Sequence, residues 1–196
     1  MVHLTRIYTR FGDAGECMLG DGSTVPKTSV RVGAYGAVDE ANAGLGLAEC
    51  DAASAPKIQC VLRSILQDLF DVGADLCTPI TAQEKAGDRN RISQAQVDRL
   101  ERLIDEHNAA LPTLKSFVLP GGTRLASSLH LARTLVRRAE REATVLINAE
   151  PAATNRLAVV YLNRLSDLLF VLARVANLPP AGGGDVLWTP GANRPS

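Results

Sequence analysis

Apolar side chains recur every three or four residues along five stretches of the chain, and proline, glycine or polar runs separate these stretches. This period is typical of amphipathic α-helices that bury one face. The predicted helices span residues 29–50, 56–79, 93–112, 123–148 and 154–178. No stretch alternates between apolar and polar residues as a convincing β-strand would. Five long helices with short connections predict an all-α fold, a five-helix bundle.

Residues suited to helix starts support three of these boundaries. Pro56 fits the first turn of the second helix, where its missing N–H would have no helical partner in any case. Ser93, followed three residues later by Gln96, has the sequence of a capping box at the start of the third helix. Thr123 is a suitable N-cap for the fourth helix. In the first helix, small residues such as Gly44 would let another element approach the backbone closely.

The chain is predicted to be a single domain over residues 1–196. Residues 1–28 are rich in glycine and lack a helical period, so we expect a loop-rich N-terminal arm. The helical bundle is expected over residues 29–178. Residues 179–196, rich in glycine and proline, are expected to form a flexible tail that is poorly ordered or loosely attached.

The composition argues against several kinds of partner. Hydrophobic residues make up 46% of the chain and aromatic residues 4%, so aliphatic side chains must fill the core. Lysine plus arginine total 21 and so do aspartate plus glutamate, which gives a formal charge of zero. Neither nucleic acid nor an anionic membrane is therefore expected as a partner. The four cysteines form no C-x-x-C pair, and the N-terminus has no apolar signal segment, so we expect a cytoplasmic protein.

Polar residues at spacings of three and four share one face of the predicted fourth helix: His130, Arg133, Arg137, Glu140 and Arg141. A solvated charged face is the ordinary explanation of such a pattern. The surplus of arginine over glutamate favours an anion site instead, because the planar guanidinium matches phosphate geometry. His130 has no H-x-x-x-H or E-x-x-H companion, which argues against a metal site at that residue.

Two further features are candidates for ligand binding. In the arm, backbone N–H groups beside Gly12 and Gly15 can point at phosphate oxygens, and Lys27 could neutralise their charge. On the predicted fifth helix, Asn163 and Asp167 lie four residues apart on one face. Two alternatives explain the spacing of Asn163 and Asp167: a polar pair at a helix–helix contact, or a functional role.

Five motifs occur in this order along the chain: YTRFGDAG (8–15), VGAYGAVDE (32–40), FVLPGGT (117–123), RRAER (137–141) and YLNRLSD (161–167). Together they resemble the PduO-type ATP:cob(I)alamin adenosyltransferase family, over roughly residues 7–175. The resemblance implies a five-helix bundle, a homotrimer, and active sites between neighbouring subunits.

The resemblance also implies which residues bind ATP and Mg²⁺. The arm residues implied to surround ATP are Thr9, Arg10, Phe11, Gly12, Asp13, Gly15 and Lys27. The residues implied to complete the nucleotide and magnesium site are Arg137, Glu140, Arg141 and Asn163. Among these, Glu140 is the implied metal ligand.

Four residues are implied to serve the reaction itself. Asp39 and Arg133 would pair across the subunit boundary, and Phe117 would lie against the lower face of the corrin. Arg137 would stabilise the charge that accumulates on the leaving triphosphate. One departure from the family is Cys17, which stands where a hydroxyl residue is usual. A thiol is a poor hydrogen-bond donor, so a phosphate contact at that position is weakened.

The implied reaction transfers the 5′-deoxyadenosyl group of ATP to cob(I)alamin, giving adenosylcobalamin and triphosphate. A flavin-type reductase and an adenosylcobalamin-dependent enzyme that receives the product are the further partners it suggests. Two alternatives remain at this point: a corrinoid carrier or delivery protein without turnover, and a non-catalytic helical scaffold. Formation of a light-sensitive cobalt–carbon bond that requires ATP would separate the enzyme from both.

Overall fold

The computed structural model describes Tyr8 and residues 10–194, and it contains five long helices in the predicted order. They are α1 (Val30–Asp51), α2 (Pro56–Cys77), α3 (Gln94–Asn108), α4 (Arg124–Ala149) and α5 (Arg156–Ala176). The prediction of an all-α, five-helix bundle is therefore confirmed. One boundary differs, because α3 ends at Asn108 and Leu111 lies in a turn, with its N–H 3.0 Å from Asn108 O. Within residues 10–194, no helix is long and apolar enough to cross a bilayer.

Side chains close the first turn of four helices. Ser93 and Gln96 form the predicted capping box, in which the Ser93 N–H donates to Gln96 Oε1 at 3.0 Å. Thr123 caps α4 by accepting the Ala126 N–H at 3.1 Å. The other two N-caps are Ser29 for α1 and Asn155 for α5. Each such cap pairs a backbone donor that the helix leaves without a partner.

A two-stranded antiparallel hairpin lies in the N-terminal arm, where the sequence predicted no strand. Its strands are β1 (Glu16–Met18) and β2 (Thr24–Pro26). The Asp21 carboxylate accepts the Ser23 N–H at 2.9 Å in the turn, and Gly22 adopts a φ of 87° there. The prediction of no strand was wrong here, because strands of three residues are too short to show an alternating pattern.

Helices α1 and α4 pack against each other in antiparallel directions. Arg124 at the start of α4 forms an ion pair with Asp51 at the end of α1, with 2.7 Å between Nε and Oδ1. Near the middle of the pair, a Cβ added at Gly44 would lie 2.3 Å from Leu135 Cδ1, so a larger residue there would require the Leu135 side chain to move. Further helix pairs are α4 with α5, α1 with α2, and α3 with α5.

The core consists mainly of leucine and alanine from all five helices. One polar group inside it is paired: the Tyr161 hydroxyl donates to Asp68 Oδ2 at 2.7 Å, and Arg99 forms an ion pair with the same carboxylate. Burial raises the pKa of Tyr161, and the negative charge of Asp68 raises it further. The phenol therefore stays protonated and serves as a hydrogen-bond donor.

The connection between α2 and α3 is held by Arg91. Its guanidinium donates to Asp75 Oδ1 at 2.8 Å, to Thr78 O at 2.7 Å and to Glu84 Oε2 at 2.7 Å. Hydrogen bonding to Glu84 is the main cause that raises the pKa of Arg91. An arginine that joins a carboxylate and loop carbonyls in this way fixes the path of an otherwise irregular segment.

Residues 182–188, here called the C-terminal strap, pair with the segment 117–119 that precedes α4. Val118 and Leu187 form an antiparallel bridge, and the Trp188 N–H donates to Phe117 O at 2.8 Å. The Gly184 N–H donates to Asn177 O, also at 2.8 Å. These bonds differ from the loosely attached tail that the glycine and proline content suggested, because backbone pairing does not depend on side-chain composition.

Candidate active site

Lys27 lies over the glycine loop of the N-terminal arm. Its backbone N–H donates to Gly15 O at 2.8 Å, and a Cβ added at Gly12 would lie 2.9 Å from Lys27 Nζ. Gly15 has a φ of 83°, in the region that favours glycine. The structure thus places two glycines and one ammonium group together, an arrangement that can bind an anion.

Arg10, Phe11 and Asp13, which were also predicted for the arm site, are exposed around this loop. Arg10 has a φ of 63°, and its guanidinium carbon lies 5.8 Å from the centroid of the Tyr8 ring. Phe11 and Asp13 belong to a single turn of 3-10 helix over Phe11–Ala14 and are exposed. Thr9, predicted for the same site, lies outside the described residues. The side chains of Arg10, Phe11 and Asp13 are therefore accessible to a ligand or a second chain.

The arm is attached to α1 and α2. Cys17 Sγ and Tyr35 Oη share a hydrogen bond of 3.0 Å, and the Gly20 N–H donates to Cys77 O at 3.2 Å. Burial raises the pKa of Tyr35, and the bond to Cys17 raises it further. The Cys17 thiol is therefore hydrogen-bonded to α1 through Tyr35. This contact explains a thiol at that position without a contact to phosphate.

A second group of predicted residues lies where α4 packs on α5. Asn163 Nδ2 donates to Glu140 Oε1 at 2.8 Å, and Arg164 donates to Asn163 Oδ1 at 2.7 Å. Arg137 lies one turn before Glu140 on α4, and Arg141 lies next to it. Both arginines are exposed, and Arg141 donates to Arg137 O at 3.1 Å. The group combines two accessible guanidinium groups with one oriented carboxylate, a combination suited to a polyphosphate and its cation.

Asn163 pairs with Glu140 on the neighbouring helix, and Asp167 is exposed. The expectation of a polar pair at a helix–helix contact therefore fits Asn163, whereas Asp167 lies exposed at the surface. A polar contact between helices remains part of the explanation for Asn163, because its amide joins α5 to α4.

Arg133 lies one turn before Arg137 on α4, and its Nε is buried without a hydrogen-bond partner among the described residues. Burial lowers the pKa of Arg133, and the charge of Arg137 lowers it further. His130 is only 2% exposed, its two ring nitrogens also lack partners within residues 10–194, and its ring lies edge-on to Phe170. The Arg133 side chain as a whole is only half-buried, so its terminal guanidinium nitrogens can still pair with an acceptor from outside this chain.

Asp39 is exposed on α1, beside a groove of about 380 Å³ between α1 and α2. Apolar side chains line most of this groove, among them Val38 and Leu69. Asn42 also lines it, and Asn42 Oδ1 is buried without a partner among the described residues. An exposed carboxylate at an apolar groove is suited to a partner surface that carries a cation.

Phe117 projects from the segment before α4, with 77% of its surface exposed. Its ring centroid lies 6.0 Å from that of Trp188, at an interplanar angle of 57°. Trp188 is 42% exposed and belongs to the C-terminal strap. The two rings form an exposed aromatic pair, so Phe117 does not fill the core. Sequence reasoning missed Trp188 because the segment was taken for a loose tail, although it is the only tryptophan in the chain.

Within the part of the chain that the structure describes, no cluster of three or more histidine, cysteine or acidic side chains could hold a metal ion. Glu140 is a single carboxylate, held in place by Asn163. A site of this kind fits Mg²⁺, which takes one or two carboxylates and fills its remaining positions with phosphate oxygens and water.

Comparisons with known proteins agree with this arrangement. The family model for cobalamin adenosyltransferase matches residues 7–176. A corrinoid adenosyltransferase from Mycobacterium tuberculosis is 54% identical over 193 residues, which are 98% of this chain and 97% of that protein. A cobalamin adenosyltransferase from Cupriavidus metallidurans is 47% identical over 185 residues, 94% of this chain and 95% of its own.

A solved structure supports the same assignment. It is a variant of a PduO-type ATP:corrinoid adenosyltransferase from Lactobacillus reuteri, complexed with cobalamin and ATP. It superposes with a TM-score of 0.85 at 37% identity, covering 93% of this chain and 96% of that one. The family model, the relatives and the fold agree over nearly the whole sequence, and the chain belongs to the cobalamin adenosyltransferase family.

Proposed function

We propose that this protein transfers the 5′-deoxyadenosyl group of ATP to the cobalt of cob(I)alamin. The observation that carries the proposal is the group formed by Arg137, Arg141, Glu140 and Asn163 at the α4–α5 contact. It offers two cations and an oriented carboxylate to a triphosphate. Membership of the family, and the Lactobacillus reuteri relative complexed with cobalamin and ATP, support the choice of substrates.

The proposed step is a nucleophilic displacement. The electron pair of cobalt(I) forms a bond to the ribose 5′ carbon, the bond from that carbon to the triphosphate oxygen breaks, and triphosphate leaves with the electron pair of that bond. Negative charge therefore accumulates on the leaving group. Lys27, Arg137 and Arg141 would stabilise it through charge-assisted hydrogen bonds that strengthen as the bond breaks. No side chain has to move a proton at the carbon.

Mg²⁺ would neutralise part of the triphosphate charge. Glu140 is the residue proposed to hold it, and the Asn163 amide orients the carboxylate. Since the ATP phosphates would supply other ligands, the ion is expected to bind together with the nucleotide.

We further propose that the active site is completed between two copies of the chain in a homotrimer. The arm with Lys27 is attached to α1 and α2, whereas Arg137 and Glu140 lie on α4. Arg133 is half-buried and has no ion pair among the described residues, and Asp39 is an exposed carboxylate at an apolar groove. A contact between Asp39 of one copy and Arg133 of the next would satisfy both and bring the two halves of the ATP site together.

Phe117 is proposed to lie against the lower face of the corrin. A lower axial ligand raises the electron density on cobalt(II) and therefore makes its reduction to cobalt(I) less favourable. The exposed ring of Phe117, flanked by Trp188, presents apolar surface that can exclude water and the corrinoid's own base. Four-coordinate cobalt(II) would then be reducible by a mild donor. We expect a cytoplasmic enzyme that receives electrons from a flavin-type reductase and passes its product to an adenosylcobalamin-dependent enzyme.

The deciding experiment incubates the protein with ATP and chemically reduced cobalamin and follows the corrin spectrum. The expected product shows the spectrum of an alkylcorrinoid that light cleaves, and triphosphate appears in equal amount. A corrinoid carrier would bind cobalamin without consuming ATP, and a scaffold would bind neither substrate. Either of those two results would contradict the proposed activity.

A further inference from the structure

Arg174 is a buried arginine near the end of α5, with 5% of its surface exposed. Its Nε donates to Asp185 Oδ2 at 2.9 Å, and its second guanidinium nitrogen, Nη2, donates to Pro112 O at 2.6 Å. The Asp185 side chain is also largely buried, at 12% exposed. A charged pair removed from water in this way is held in one geometry, because loss of either partner leaves the other charge uncompensated.

The two partners of Arg174 belong to two different segments that meet at Phe117. Pro112 lies in the connection that leads to Phe117, and Asp185 lies in the C-terminal strap. The strap in turn holds Phe117, since the Trp188 N–H donates to Phe117 O at 2.8 Å and Ser116 Oγ donates to Trp188 O at 2.6 Å. One guanidinium therefore fixes both segments on which the position of Phe117 depends.

Asn177, one turn beyond Arg174, fixes the far ends of the same two segments. Its Nδ2 donates to Gly121 O at 3.0 Å, and its Oδ1 accepts the Thr123 N–H at 2.8 Å. Its backbone carbonyl accepts the Gly184 N–H at 2.8 Å. A Cβ added at Gly122 would lie 2.2 Å from Asn177 Oδ1, so the packing there tolerates no side chain. The end of α5 thus determines where both segments run.

Phe117 itself has few side-chain contacts that could fix it, because 77% of its surface is exposed. Its placement must come from its backbone, and the backbone is held by the strap. We propose that Arg174 is a positioning residue for Phe117: through Asp185 and Pro112 it sets the distance of the aromatic pair from the corrin. This inference rests on the corrin-facing role proposed for Phe117.

The test compares Arg174→Lys and Asp185→Asn with wild type, with Phe117→Ala and with Arg91→Lys. Lysine keeps the charge of Arg174 but lacks the planar fork that reaches two partners at once. Asp185→Asn keeps the shape of the side chain and removes the ion pair. Arg91→Lys is the matched control, because Arg91 joins acidic side chains and loop carbonyls in the same way between α2 and α3.

The readout is the cobalt(II) spectrum of cob(II)alamin bound to each protein in the presence of ATP, together with the KM for each substrate. Arg174→Lys and Asp185→Asn should lose most of the four-coordinate signal and raise the KM for cobalamin, while the KM for ATP stays at the wild-type value. Their rate from cob(II)alamin with a mild reductant should fall by about 100-fold, the effect that a misplacement of roughly 1 Å can have. Arg91→Lys should keep the wild-type spectrum.

Wild-type spectra from both Arg174→Lys and Asp185→Asn, when Phe117→Ala has lost the four-coordinate signal, would overturn the positioning role and leave the role of Phe117 intact. A four-coordinate signal that survives in Phe117→Ala would overturn the role of Phe117 itself. Equal spectral losses in Arg91→Lys and Arg174→Lys would reduce the effect to general destabilisation and also overturn the positioning role. Should Arg174→Lys fail to fold, Asp185→Asn decides the question by the same readouts.

Discussion

The side-chain amide of Asn163 on α5 donates to Glu140 Oε1 on α4 across 2.8 Å, and Arg164 donates to the amide oxygen from the other side at 2.7 Å. The two bonds fix which way the amide points, because only its nitrogen can donate to the carboxylate. Glu140 is consequently held in one orientation by the protein itself. Such preorganisation is what a cation held by one protein carboxylate requires.

Glu140→Gln is predicted to raise the Mg²⁺ concentration needed for half-maximal rate by about 10- to 100-fold, because the amide cannot supply a charged ligand. Asn163→Ala should shift the same Mg²⁺ titration less, since the carboxylate remains but loses its orientation. Glu142→Gln, at an exposed glutamate two residues along α4, is the control. Identical Mg²⁺ titrations for Glu140→Gln and wild type would remove Glu140 from the metal site.

Lys27→Ala and Arg137→Ala are predicted to raise the KM for ATP while leaving the helical content unchanged. Each variant would remove a proposed charge-assisted hydrogen bond to phosphate, worth about 1.5–3 kcal/mol, which corresponds to roughly 10- to 150-fold in affinity. Both residues are exposed and belong to no core cluster, so folding should not suffer. Lys57→Ala, at an exposed lysine on α2, provides the control. Wild-type kinetics of either variant at limiting ATP would refute the nucleotide assignment.

Arg133→Ala is predicted to dissociate the proposed trimer. If Asp39 of a neighbouring copy is the acceptor for Arg133, loss of the Arg133 guanidinium leaves that carboxylate unpaired at a boundary without water. The free energy of association should then fall by about 3–5 kcal/mol. Sedimentation velocity over a range of protein concentrations should show monomers with no activity. A wild-type monomer with full activity would contradict the shared active site.

The helices could be predicted from the sequence because each buries one continuous face. Buried positions such as Leu45 in α1 and Leu129 in α4 each fall on the helical period of their own helix. Contacts between distant parts of the chain left no such signal. Arg174 and Pro112 are separated by 62 residues, and nothing in the pattern around either indicates the other. The strap was taken for a loose tail for the same reason, since backbone pairing of residues 117–119 with 186–188 needs no particular side chains.

The candidate site was only partly accessible to reasoning from residue types. The spacing of Arg137 and Arg141 is also that of an ordinary solvated face, and only the surplus of arginine favoured an anion site. The contact between Glu140 and Asn163 joins two helices and was not predicted, since the family resemblance only implied that both residues belong to one site. Trp188 was missed, because its position beside Phe117 arises from the strap.

The free energy of unfolding is predicted to fall as the pH falls below about 6.5, in part because of His130. Burial lowers the pKa of His130, and the charge of Arg133 acts in the same direction, while Asp185 opposes both. Between the lowered folded pKa and the unfolded value of about 6.5, the unfolded chain binds a proton that the folded chain does not. Stability is therefore fully present above this window and is lost as the pH falls through it.

His130→Leu removes that titration, so its stability relative to wild type should improve as the pH is lowered from about 8 to about 5. Urea unfolding at a fixed protein concentration measures the difference, since subunit association also depends on concentration. Parallel pH profiles for the two proteins would show that His130 does not contribute.

Phe117→Ala is predicted to separate activation of cobalt from binding of ATP. The ring is 77% exposed, so its removal should cost far less than the roughly 3–5 kcal/mol lost when a buried phenylalanine is truncated. The variant should fold and bind ATP as wild type does, and it should alkylate cobalamin that is supplied already as cobalt(I). It should fail when it must start from cobalt(II) with a mild reductant, because water or the corrinoid's base regains access to the metal.

The cobalt(II) spectrum of the protein with ATP distinguishes this role from a general disturbance of the loop. Wild type should show a four-coordinate species, and Phe117→Ala should show a five-coordinate one. Val118→Ala is the matched control, because adjacent side chains of an extended segment point in opposite directions, so this change disturbs the same backbone without touching the ring. It should keep the four-coordinate species. Equal four-coordinate signals from Phe117→Ala and wild type would mean that the ring does not exclude the lower ligand, and the aromatic pair would then need another explanation.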